Sequence, residues 1–145
     1  MAAIRRRGTA VWMGDLRGGK GQLATQSGVL EAQSYSFRTR FENGPGTNPE
    51  ELIAAAHAGC YSMALANTLD QEGYNPESIE TTATITLAQV DGGFAISEMH
   101  LDVRGQLPGI DQETFERLAE KADGECPMSN LLRSGLELSI AAELI

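Results

Sequence analysis

Cysteine is scarce in this 145-residue sequence, which has only Cys60 and Cys126. Two cysteines do not make the disulfide scaffold of a small secreted domain. Positive charge is short as well. Lys20 and Lys121 are the only lysines, and 11 basic residues face 20 acidic ones, for a formal net charge of -9. Phosphate backbones and anionic membrane surfaces recruit basic proteins, so the balance argues against nucleic acid and against a membrane surface as partners. No apolar run approaches the ~20 residues of a spanning helix. Arg5, Arg6 and Arg7 are not followed by an apolar segment, so no signal peptide is expected. Internal repeats and low-complexity runs are missing. What remains is 41% hydrophobic and 21% charged, enough apolar material for a core. A chain of this size is expected to be a single domain spanning 1–145, and to bury roughly two-thirds of its unfolded surface. The expectation is a soluble, acidic, cytoplasmic protein.

The clearest shift along the chain is at Gly44-Pro45-Gly46-Thr47-Asn48-Pro49. Before it the pattern is strand and turn. Thr9, Val11 and Trp12 lead into a glycine-rich turn at 14–21, and residues 21–26 and 35–41 read as further strands. In the last of these Tyr35, Phe37, Thr39 and Phe41 share one face and Ser36, Arg38 and Arg40 the other. This is a β-meander with one apolar face, which needs a partner layer. After the shift a helix begins. Asn48 can cap, Pro49 suits the first helical position, and Glu51 completes a capping box. The helix is predicted to run to about Gln71, with Gly73 as its stop. It is small and apolar almost all round, the mark of a buried helix.

The second half mixes the same parts. Ile79, Thr81, Ala83, Ile85 and Leu87 alternate as a strand, Asp91-Gly92-Gly93 is a hairpin turn, and the return strand changes phase near Ser97–Glu98, which predicts a β-bulge. Asp111 caps a helix with Phe115, Leu118, Ala119 and Ala122 on one face. Cys126-Pro127 opens a short helix ending at Gly135, and Leu136, Leu138, Ile140, Ala142 and Leu144 alternate as a last strand. The class is α+β with mostly antiparallel strands.

Cys60 lies midway along the apolar helix, where a buried core cysteine and a reactive one are both open readings. Gly59 beside it costs about 1 kcal/mol relative to Ala in a helix interior, so tight packing or access to Cys60 is the reason expected for it. Cys126 falls at or near a helix N-cap, where a thiolate is favoured, or is simply a small residue beside a turn. A redox pair of the two requires Cα atoms about 4.4–6.8 Å apart. A thiolate also needs a cation, and arginine must supply it. Arg40, close to the turn before the helix, can reach Glu50, and a carboxylate would fix its guanidinium. His57, three residues before Cys60, permits a Cys–His nucleophile, although a packed helical histidine is the commoner outcome. His57, Cys60, His100 and Cys126 are conceivable zinc ligands, but no CxxC or HxxxH spacing supports a metal site.

Glu50 and Cys60 stand ten residues apart on one predicted helix, about 15 Å along its axis. If both serve one site, Glu50 acts through other residues or comes from a second chain. An all-apolar helix asks for a second chain too. Both lines point to a dimer.

Across essentially its whole length the chain resembles the OsmC/Ohr family of thiol-dependent peroxidases, and its OsmC branch more closely. The resemblance rests on Thr39-Arg40-Phe41, on Gly46-Thr47-Asn48-Pro49-Glu50-Glu51-Leu52-Ile53, on Ala55-Ala56-His57-Ala58-Gly59-Cys60 followed by Tyr61-Ser62-Met63-Ala64, and on Cys126-Pro127. The Asp91-Gly92-Gly93-Phe94-Ala95-Ile96 turn and Pro108-Gly109-Ile110-Asp111 add to it. It implies reduction of organic hydroperoxides, and less well of hydrogen peroxide, in oxidative or osmotic stress. It implies Cys60 as the peroxidatic cysteine, Cys126 as the resolving one, and an Arg40–Glu50 ion pair, with Arg17 a rival arginine. It implies an OsmC-like fold in an intertwined homodimer, no metal or organic cofactor, and re-reduction by a dithiol or lipoylated protein. An apolar pocket would draw on Tyr61, Met63, Phe41 or Met128. The competing readings are a non-catalytic dimer binding a small apolar ligand, and a hydrolase using Cys60 and His57.

Overall fold

The computed structural model describes residues Met1–Ile145. Two compact units are present, Met1–Leu52 and Ile53–Ile145.

In the first unit β1 (Gly8–Met13), β2 (Lys20–Thr25) and β3 (Gln33–Tyr35) form an antiparallel meander in that order. Trp12 pairs with Gly21, which pairs in turn with Tyr35. The Trp12 and Tyr35 rings close over Gly21 at 5.4 Å between centroids. A Cβ on Gly21 would collide with the Tyr35 ring, so a side chain is excluded there. Val11, Met13 and Leu16 remain more than half exposed, so much of the meander's apolar surface is uncovered in the single chain.

The strand expected over 35–41 ends at Tyr35. Phe37–Phe41 is instead a one-turn helix, α1. Ser36 caps it: its Oγ accepts from the Thr39 N–H at 3.3 Å, while Thr39 Oγ1 accepts from the Ser36 N–H at 2.9 Å. Both bonds of a capping box are made, and they outweigh the two-residue alternation. The alternating residues fit a helix equally well, because Phe37 and Phe41 meet at i,i+4 with ring centroids 4.9 Å apart.

The long helix α2 (Pro49–Gln71) begins and ends where expected. Asn48 Oδ1 accepts from the Glu51 N–H at 2.8 Å. The Glu51 carboxylate does not return to the Asn48 backbone. It takes the Thr47 hydroxyl at 2.9 Å, so the expected capping box is half made. At the other end Gly73, at φ +84°, donates to the Asp70 carbonyl, and Tyr74 N–H reaches back to Leu69. This is a Schellman stop, which favours glycine.

In the second unit β4 (Ser78–Val90) and β5 (Gly93–Gln106) form a long antiparallel hairpin, and β6 (Glu137–Leu144) pairs with β5 in parallel. The register slips between Thr86↔Glu98 and Leu87↔Ile96, leaving Ser97 as the extra residue, where the phase change predicted a bulge. Parallel neighbours need a crossover. α3 (Gln112–Glu125) and α4 (Pro127–Leu132) supply it. Tyr61, Leu65 and Leu69 of α2, Met99, Leu101 and Val103 of β5, and Phe115, Leu118, Ala119 and Ala122 of α3 form one core.

α2 is covered on one side only. Ala54, His57, Tyr61, Leu65, Thr68 and Leu69 are buried, whereas Ala55, Ala56, Gly59 and Met63 are exposed, Met63 at 77%. The expectation of a fully buried helix therefore fails for the single chain. A Cβ at Gly59 would meet nothing within 4 Å, so packing inside the chain does not explain that glycine.

Candidate active site

Cys60 sits on α2, half-buried, and Cys126 is fully buried at the N-cap of α4. They are 66 residues apart in sequence, yet their sulfurs lie 3.5 Å apart. Both thiols are free. Local sequence accounts for Cys126: Pro127 starts α4, and the Ser129 N–H points at Cys126 Sγ at 3.5 Å. Burial pushes the Cys60 thiol up. A Met128 N–H pulls it down, and the neighbouring Cys126 raises it again. No cation figures among these influences, so within this setting Cys60 resists ionisation.

His57, one turn before Cys60, is fully buried. Its Nε2 meets Ser129 Oγ at 2.8 Å and its Nδ1 has no partner. It makes no hydrogen bond to Cys60. Burial holds its pKa below 6.5, with Arg133 adding to the depression and Asp123 opposing it. The imidazole is therefore neutral at pH 7. Ser129 is the residue that sequence reasoning missed. Its only signal is its place three residues after Cys126, mirroring His57 three residues before Cys60.

Arg40 and Glu50 come together in the first unit. Arg40 Nε and Nη2 both reach Glu50 Oε1, at 3.0 and 2.9 Å. Glu50 is 6% exposed and its Oε2 is buried without a partner. The one-turn helix α1, rather than the expected strand, carries Arg40 here. Arg17 takes a different place, with its guanidinium over the Phe37 ring at 4.6 Å and no carboxylate partner. A cavity of about 250 Å³ opens beside these groups, lined by Trp12, Leu16, Tyr35, Ser36, Phe37, Arg40 and Phe41. Of the four residues expected to line an apolar pocket, Phe41 does so here. Tyr61 is buried in the core with its hydroxyl donating to the Ala119 carbonyl at 2.8 Å, Met63 is exposed, and Met128 packs on the core. The four candidate site residues thus form two pairs, one in each unit.

Chemically, a half-buried thiol with a second thiol in van der Waals contact suits two-electron oxidation followed by internal disulfide closure. The Arg40–Glu50 pair beside an apolar cavity suits an oriented cation facing a non-polar ligand.

Residues 42–141 match the family model for OsmC-like protein. The chain is 50% identical over 135 residues to peroxiredoxin OsmC of Escherichia coli, covering 93% of this chain and 94% of that one. It is 32% identical over 125 residues to an organic hydroperoxide resistance protein of Xanthomonas axonopodis pv. citri, covering 85% and 86%. Among solved structures, the organic hydroperoxide resistance protein OhrB of Bacillus subtilis superposes with a TM-score of 0.73 at 24% identity, covering 94% of this chain and 98% of that one, a likeness of fold.

Proposed function

The chain belongs to the OsmC-like family, and from that premise we propose how its residues carry out the chemistry of a thiol-dependent peroxidase of organic hydroperoxides. The single observation that carries the reading is the 3.5 Å approach of Cys60 and Cys126.

Cys60 attacks as the thiolate. Its sulfur takes the terminal oxygen of the hydroperoxide, the O–O bond breaks, and the alkoxide leaves as the alcohol after protonation. Sulfur is oxidised by two electrons and becomes a sulfenic acid. Cys126 then attacks that sulfur, water departs, and a disulfide joins the two residues. An external dithiol or lipoylated protein reopens it by exchange. Hydrogen peroxide, without an apolar tail for the cavity, is the poorer substrate.

Ionising Cys60 requires a cation that offsets its burial. Arg40 serves this role, oriented by Glu50. Glu50 and Cys60 lie ten residues apart on the unbroken α2, about 15 Å along the axis. The Arg40–Glu50 pair therefore comes from a second copy of the chain, and the exposed face of α2 at Ala55, Ala56, Gly59 and Met63 is what a homodimer would cover. The whole chain acts as one OsmC-like domain in the cytoplasm, in defence against oxidative stress. No helix is long and apolar enough to cross a membrane.

A non-catalytic binder of apolar ligands is not favoured, because the relatives carry peroxiredoxin and hydroperoxide-resistance names. A Cys–His hydrolase is not favoured, because His57 spends its Nε2 on Ser129. The test is consumption of cumene hydroperoxide under dithiothreitol, with intact mass before and after one equivalent of peroxide without reductant. Turnover, a loss of two mass units per chain, and abolition of both by Cys60→Ser are expected. Absence of turnover in fully reduced protein would reject the peroxidase reading.

A further inference from the structure

We propose that His57 and Ser129 are positioning residues for the resolving cysteine, a second rung that sets Cys126 against Cys60. The inference rests on the peroxidase reading above.

Two contacts at matching offsets carry it. His57 precedes Cys60 by three residues on α2, and Ser129 follows Cys126 by three residues at α4. The sulfurs stand 3.5 Å apart and His57 Nε2 stands 2.8 Å from Ser129 Oγ. One contact between two elements leaves a pivot free; two, about one helical turn apart, fix angle and distance together. His57–Ser129 is the only hydrogen bond between two side chains that joins α2 to the body of α4; beside it the Met128 backbone N–H meets the Cys60 thiol. The other ties of this corner run to α3: Arg133 Nη2 to Asp123 Oδ2 at 2.8 Å, and Asn130 Nδ2 to the Gly124 carbonyl at 2.9 Å. They hold α4 on α3, while its seating on α2 falls to the contacts at Cys60 and to the histidine one turn away.

The tautomer follows from burial. With the proton on Nε2, the imidazole donates to Ser129 Oγ and only an acceptor lone pair is left bare at Nδ1. The opposite tautomer would bury an unpaired N–H, the rarer and costlier defect. Ser129 itself donates its backbone N–H to Cys126 Sγ. The serine thus touches the resolving sulfur with one group and the histidine with another. Disulfide closure shortens the sulfur separation from 3.5 Å to about 2.05 Å. That is a side-chain rotation about a seated backbone, and its rate depends on how often the seat is occupied.

The test compares the unaltered protein with Ser129→Ala and with His57→Leu/Ser129→Ala. The double variant replaces the polar pair by apolar groups, a change that leaves folding near neutral, and so keeps the test open if the single variant is unstable. The first readout is the equilibrium of the Cys60–Cys126 couple in glutathione buffers, which needs no peroxide. The effective concentration of one thiol toward the other is expected to fall at least tenfold. The second readout is stopped-flow reaction with cumene hydroperoxide. Closure is expected to slow at least tenfold relative to the initial attack, with sulfenic acid accumulating for capture by dimedone. Folded variants whose glutathione equilibrium stays within twofold of the unaltered protein overturn the inference. If the equilibrium shifts but the unaltered protein consumes no peroxide, the functional reading fails while the positioning role stands.

Discussion

Burial raises the Cys60 thiol pKa and depresses that of His57, so two residues one turn apart on the same helix both favour their neutral forms. For Cys60 this is the barrier that Arg40 is proposed to offset. For His57 it is a condition of folding with a measurable signature. A folded-state pKa below 6.5 means that the unfolded chain takes up a proton before the folded one does. Stability is then fully present above 6.5, declines as pH falls toward the lower folded value, and stops declining through this group below it. His57→Leu removes the group, so its stability against urea is expected to change less between pH 7 and the acid side of that window. Equal slopes for the two proteins would show that His57 contributes no such linkage. The same histidine was legible as a candidate from its spacing to Cys60, yet its partner was not. Ser129 lies 72 residues away, and only the docking of α4 on α2 brings them together.

At the scale of elements, the parts signalled by neighbouring residues were readable in the sequence. Both ends of α2, the face of α3 and the bulge at Ser97 are each marked by the identity and spacing of residues within a few positions of one another. The failure over 37–41 has the same origin. Alternation across seven residues describes a strand, but it also puts Phe37 and Phe41 one helical turn apart, and the choice lies with the Ser36 cap. Ser36→Ala removes that cap. It is expected to lower stability by about 1 kcal/mol, the usual worth of an N-cap, readable as a lower midpoint in thermal or urea unfolding. Because α1 carries Arg40 to Glu50, peroxide turnover should also fall while the glutathione equilibrium of the cysteine pair stays unchanged. A lowered midpoint with full turnover would mean that Arg40 keeps its place without the helix. Parallel pairing of β6 with β5 was not legible, since an alternating strand carries no mark of its neighbour's direction. The closeness of the two cysteines was not legible either; sequence alone held it open, and only family resemblance implied it.

The whole molecule poses the question that neither residues nor elements answer: whether the arginine proposed to serve the thiol, anchored by a carboxylate about three helical turns away, comes from the same chain or from a second one. Two features of the single chain point outward. One is the exposed face of α2 with Met63 at 77%, and the other is the uncovered apolar surface of the meander at Val11, Met13 and Leu16. A second copy would cover such surfaces and, in a closed two-fold dimer, form two equivalent sites. If each site takes Cys60 from one chain and Arg40 from the other, two inactive variants can repair each other. Cys60→Ser and Arg40→Ala chains, mixed and allowed to exchange, form a hybrid with one site that has both residues and one that has neither. With equal mixing about half the dimers are hybrids, so about a quarter of all sites recover. Turnover of cumene hydroperoxide near a quarter of the unaltered level, from parents that each give little, is the expected result, with sedimentation reporting a dimer throughout. A mixture no more active than its parents, once exchange is verified by mass, would place Arg40 and Cys60 in the same chain. The route from Glu50 to the thiol would then run through intervening residues of one molecule.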